Sequence, residues 1–229
     1  RNKSPMNLIT LSILFLFSST TYAQESVISQ LSKQELELIN KNEFVIKETK
    51  IKDRPWPEVT LYSVINASAL ESIALFSAFD KQKDYIPGLL QSSVVKQVNP
   101  VEIHTQYKMN MPWPLSDAVY IHGSVLGRLK KNLSSYYLKW YLVSSNVHRS
   151  VKGEAIFESY GKKTIMRYKS LIHPKSVFAS LIKSTMMKDL KSSLMATKEY
   201  IENTSTKQRV TTNKYCKKVL DGLGGKFVW

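Results

Sequence analysis

The chain has 229 residues, enough for one large globular domain or two small ones, and its 43% hydrophobic content supplies a substantial core. Lys and Arg number 33 against 18 Asp and Glu, a formal charge of +15 at pH 7, which favours anionic partners through long-range electrostatics and leaves the fold open. The one cysteine, Cys216, excludes an internal disulfide, so an oxidising compartment would add no covalent staple.

At the start of the chain, Arg1 and Lys3 precede an apolar run from Leu8 to Phe17, and Thr21-Tyr22-Ala23 offers the small residues that a signal peptidase prefers. The run is too short for the roughly 20 residues that span a bilayer as a helix. Residues 1–23 are therefore expected to be an export signal, cleaved before Gln24, and the mature protein is expected in the bacterial periplasm or outside the cell. Losing Arg1 and Lys3 leaves 31 basic against 18 acidic residues, a charge of +13 that belongs to the folded portion. No cysteine sits next to the cleavage position, which argues against a lipoprotein anchor.

Residues 24–43 hold a short periodic segment in which Val27, Leu31, Leu36 and Ile39 could cover a surface. Strands are expected at 44–51 and 59–65, both β-branched and aromatic, on either side of the turn-like Asp53-Arg54-Pro55-Trp56-Pro57. Asn66-Ala67-Ser68 then offers capping side chains to a short helix in which Leu70, Ile73, Ala74 and Phe76 recur at helical spacing, ended by Pro87-Gly88.

The clearest strand is 101–111. Val101, Ile103, Tyr107, Met109 and Met111 share one face, with Glu102, His104, Gln106, Lys108 and Asn110 on the other, so one side should meet a core or cavity and the other water. Strands at 118–129, 134–144, 153–160 and 163–171 continue the series, the last two joined at Gly161-Lys162. Their short connections imply antiparallel pairing. From Ser176 to about Asn203, Phe178, Leu181, Ile182, Met186, Leu190 and Leu194 form the stripe of a helix roughly 40 Å long, with Pro174 placed at its start. The remainder, 204–229, carries six Lys or Arg against Asp221 alone and is read as a basic C-terminal tail beyond a ligand-binding domain at 24–203.

This order is α+β. It resembles the helix-grip fold of START-related lipid-binding domains and their polyketide-cyclase-like and Bet v 1-like relatives in the SRPBCC superfamily. The likeness rests on 56–64 (WPEVTLYSV), on 75–95 with its Asp80 and Tyr85-Ile86-Pro87, and on 111–123 with its Pro112-Trp113-Pro114-Leu115-Ser116-Asp117 turn. The resemblance implies a curved antiparallel sheet wrapped around a long C-terminal helix. The chain departs from the family at Ala118 and Val119, where an Arg and an acidic residue are common; the charge pair expected there is missing.

Catalytic motifs are absent: no G-x-S-x-G elbow, phosphate-binding glycine loop, H-E-x-x-H or C-x-x-C occurs. His104, His122, His148 and His173 do not fall at metal-ligand spacings, and of these only His104 and His122 could approach each other across neighbouring strands. No cofactor or metal is expected. Val101, Ile103, Tyr107, Met109, Tyr120, Trp140 and Met186 are the candidate lining of an apolar cavity. The expected function is binding, and possibly transfer, of a lipid or other hydrophobic small molecule, with an anionic membrane surface as a further partner and a monomer favoured. A cyclase-like or hydrolytic enzyme using a cavity tyrosine (Tyr107, Tyr120 or Tyr168) or an acid is the alternative, and a non-catalytic envelope scaffold a third. The aromatic and basic run at 136–142 is better explained as a strand than as a nucleic-acid surface.

Overall fold

The structure, a computed structural model, describes residues 26–111, 116–129, 132–175 and 182–229. The expected export signal, the Pro112-Trp113-Pro114-Leu115 turn, and Phe178 and Leu181 of the helical stripe lie outside these residues. Eight strands form one antiparallel sheet: β1 (Val45–Thr49), β2 (Glu58–Ile65), β3 (Leu89–Asn99), β4 (Glu102–Met109), β5 (Ala118–Leu129), β6 (Asn132–Ser145), β7 (His148–Tyr160) and β8 (Lys163–Pro174). Their order is β1-β2-β8-β7-β6-β5-β4-β3, so a six-strand meander returns to pair its last strand with the first hairpin. The helices are α1 (Lys33–Asn40), α2 (Ala69–Phe76), α3 (Lys183–Lys207) and α4 (Arg209–Leu223).

Strand β3 is absent from the sequence reading, and its register shows why. Irregularities between Leu89 and Gln91, Val94 and Lys96, and Gln97 and Asn99 break the period-two pattern, and as an edge strand it leaves Leu90, Val95 and Val98 exposed. Two boundaries are also corrected. Strand β7 begins at His148 instead of 153, and Pro174 is the last residue of β8, paired with His148, instead of the start of the helix. A proline fits a strand end because it has no ladder N–H to offer.

On the concave face, Ser124, Trp140, Gly153, Ser170 and Val59 follow one another across β5, β6, β7, β8 and β2. Helix α2 packs on this face. Ser68 caps it, its hydroxyl accepting from Glu71 N while Glu71 accepts from Ser68 N, so two otherwise orphaned amides are satisfied. Ile73, Ala74, Leu75 and Phe76 then join Leu61, Ile65, Phe157 and Met166 in the main core, with Phe76 edge-on to Phe157 at 5.2 Å between ring centroids.

Two expectations about coverage change. The convex face is wet over β4, but α1 closes it over the opposite half of the sheet, where Val27, Leu31 and Ile39 meet Val45, Tyr62, Val64, Ile156 and Ile165 in a second, smaller core. Residues 204–229 are not an appendage. Helix α3 runs on to Lys207, and α4 lays Thr212, Tyr215 and Val219 into the protein against α2. The small or polar Thr212 and Gly222 occupy buried positions that an apolar stripe would normally fill, which is why the periodicity is weak.

Candidate functional site

The far half of the concave face is not filled. Between it and the first turns of α3 lies a cavity of about 250 Å³. Met186, Met187, Leu190 and Leu194 of α3 form its roof, and Tyr107, Tyr120, Leu138, Trp140 and Tyr168 its floor. Gly153 makes the floor possible: a Cβ there would come within 2.3 Å of the Trp140 ring and 2.5 Å of the Lys169 carbonyl oxygen. Its absence lets the indole lie across β7 toward Tyr168, with ring centroids 5.0 Å apart. Ala118, at the position of the family departure, is buried against the same space, where a larger side chain would take up volume.

Five of the seven candidate residues, Tyr107, Met109, Tyr120, Trp140 and Met186, line this cavity. The other two do not. Ile103 is fully buried in the main core, and Val101 sits in the turn between β3 and β4 and packs beside that core. Both lie toward the end of the sheet that α2 and α4 fill solidly. Nor do His104 and His122 approach each other, because their strand positions face opposite ways. His104 meets Tyr141 on the convex side, Nε2 lying 3.3 Å from the phenol oxygen, while His122 stands opposite Thr105 on the concave side.

His122 and His148, which the sequence reading left as ordinary histidines, are both in the cavity wall. Tyr120 bridges them, its ring centroid 4.7 Å from His122 and 5.6 Å from His148, and Tyr107 lies 5.3 Å from Tyr120. Among the described residues, His122 Nε2 and His148 Nδ1 are buried without a hydrogen-bond partner. Burial, and then the neighbouring His148, lower the His122 pKa to about 3; burial, and then Lys175, lower that of His148 to about 4. Burial likewise pushes Tyr168 up to about 12, and Tyr107 and Tyr120 higher still. At neutral pH this wall is a set of uncharged donors and acceptors. The period-two phase shared by Tyr120, His122 and Ser124 was a readable signal for the first histidine; the late start assigned to β7 hid the second.

The only charged residues in the described lining, Lys183 and Asp189, are on α3. Two features behind the family likeness hold the helices over the site. Asp80 accepts hydrogen bonds from Tyr215 of α4 at 2.9 and 2.8 Å, and Tyr85 stacks on Tyr200 of α3 with centroids 4.1 Å apart.

No family model and no curated protein matches the sequence. Solved structures do match in shape. A STAR-related lipid transfer protein fragment from Xanthomonas axonopodis aligns with a TM-score of 0.62 at 13% identity, covering 69% of this chain and 93% of that one. Human STARD10 aligns at 0.55 and 12% identity, over 79% and 85% of the two chains. An aromatase/cyclase from a Streptomyces species aligns at 0.54 and 8%, over 65% and 94%. The chain thus has the helix-grip fold of START-related domains: an open curved antiparallel sheet with its C-terminal helices on the concave side.

Proposed function

We propose that the protein binds a hydrophobic small molecule reversibly in the cavity beneath α3. The observation that carries this is a predominantly apolar space left open in an otherwise packed core, roofed by flexible methionines that adapt to varied shapes. The names of the structural neighbours, lipid transfer proteins among them, support the same reading. The aromatase/cyclase neighbour keeps catalysis in view, but the wall argues against proton transfer. A general base works best with a pKa near the operating pH, and these histidines lie near 3 and 4.

The neutral fluorophore N-phenylnaphthylamine should bind saturably, and Met186→Arg, which puts a charge into the roof, should weaken it at least tenfold, about 1.4 kcal/mol. Fluorescence that rises without saturation, or is indifferent to Met186→Arg, would count against the site. We also propose export with cleavage after Ala23, supported by the basic start and the apolar run that follows. A native product whose N-terminus lies upstream of Gln24 would contradict it.

A further inference from the structure

Resting on the binding reading above, we propose that Tyr107, Tyr120, His122 and His148 form a recognition subsite for an uncharged oxygen, a hydroxyl or carbonyl, at one end of an otherwise hydrocarbon ligand. In a cavity that needs only to exclude water, aliphatic side chains would suffice. Instead, two imidazoles with a tyrosine between them occupy the floor, across from the methionines of α3. Buried polar groups are normally paired, because leaving one unpaired costs the full desolvation of that group. Here, among the described residues, His122 Nε2 and His148 Nδ1 have no hydrogen-bond partner, and His148 is more than nine-tenths buried.

The class of head group follows from charge. Among the described residues no cation lines the inner wall: Lys183 on the first turn of α3 is the one basic residue in the lining, and it pairs with Glu48 at 3.1 Å. The nearest further cation, Lys175 beside His148, is outside the lining and donates to the Ser145 carbonyl oxygen, so an ionised carboxylate or phosphate on this floor would be buried without a counter-charge in the lining. A neutral imidazole offers one donor and one acceptor nitrogen, and a tyrosine hydroxyl can do both, so a hydroxyl or carbonyl can be matched from either side. The small volume, about 250 Å³, suits a single chain or a compact ring system better than a lipid with two full acyl chains.

Displacement of N-phenylnaphthylamine from the full chain by decanol, chlorodecane and decanoate at neutral pH tests this. Chlorodecane is the most hydrophobic of the three, so a featureless pocket would prefer it. The subsite makes decanol the strongest competitor and decanoate the weakest, by tenfold or more. His122→Phe and His148→Phe, made separately in case one fails to fold, should each reverse the order of decanol and chlorodecane, read as the ratio of their displacement constants against each variant's own affinity for the fluorophore. If chlorodecane or decanoate outcompetes decanol in the unmodified protein, or neither variant changes the order, the subsite is refuted and apolar binding stands. If the fluorophore does not bind at all, both readings fall.

Discussion

At the scale of single residues, the buried histidines link the site to stability. Their ordinary pKa is 6.5 when exposed, and burial lowers it to about 3 at His122 and about 4 at His148. Between those values the unfolded chain binds more protons than the folded one. Their contribution to stability is therefore complete above pH 6.5 and is lost as pH falls toward 4 and below. The loss should approach about 1.4 kcal/mol per pH unit for each histidine. Denaturant unfolding at a series of pH values should show the midpoint dropping steeply below pH 6.5, with a shallower slope in His148→Phe. An identical slope in that variant would mean that carboxylates elsewhere govern acid lability. Tyr107, Tyr120 and Trp140 were legible as inward-facing because strict alternation fixes a face. Alternation does not say how far along that face a cavity extends, and so Val101 and Ile103 were placed in it by phase alone.

Among the elements, α4 shows what the sequence concealed. Its buried positions are Thr212, Tyr215, Val219 and Gly222, and only two of those four are large. The Tyr215 hydroxyl donates to the Asp80 carboxylate, a hydrogen bond to a charged acceptor that ties α4 to the segment after α2. Tyr215→Phe keeps the ring and removes the bond, and should cost about 1.5–3 kcal/mol. Equilibrium unfolding checks this, and a loss under about 0.5 kcal/mol would show that α4 is held by packing alone. The capped helix α2 and strand β4 were readable because each carries a strong local signal, a capping box in one and unbroken period two in the other. Strand β3 was not, because three register irregularities scramble its pattern.

Taken as a whole, the molecule places its cavity under the N-terminal half of α3 and its solid core under α2 and α4. Arg54 and Arg149 lie beside His173, and Lys175 beside His148, near the cavity's end of the sheet. We propose that this basic end, in a chain of charge +13 once Arg1 and Lys3 are removed, docks on an anionic bilayer, where each nearby Lys or Arg would contribute about 1 kcal/mol. Co-sedimentation with vesicles containing phosphatidylglycerol should therefore be lost on raising the salt and weakened by Arg149→Glu with Lys175→Glu. Equal binding to neutral vesicles would contradict this docking.

Among the described residues, no helix is long and apolar enough to cross a membrane. A hydrocarbon chain buried in the proposed site would gain roughly 0.8 kcal/mol per CH₂. Mass spectrometry of the protein purified gently from its own source, first intact and then after solvent extraction, addresses the central claim most directly. The expected result is a single mass increment per chain that disappears on extraction and reappears in the organic phase as a neutral, oxygen-bearing apolar molecule. A protein that is always empty, and that takes up none of the source's extracted lipids when they are added back, would contradict the account.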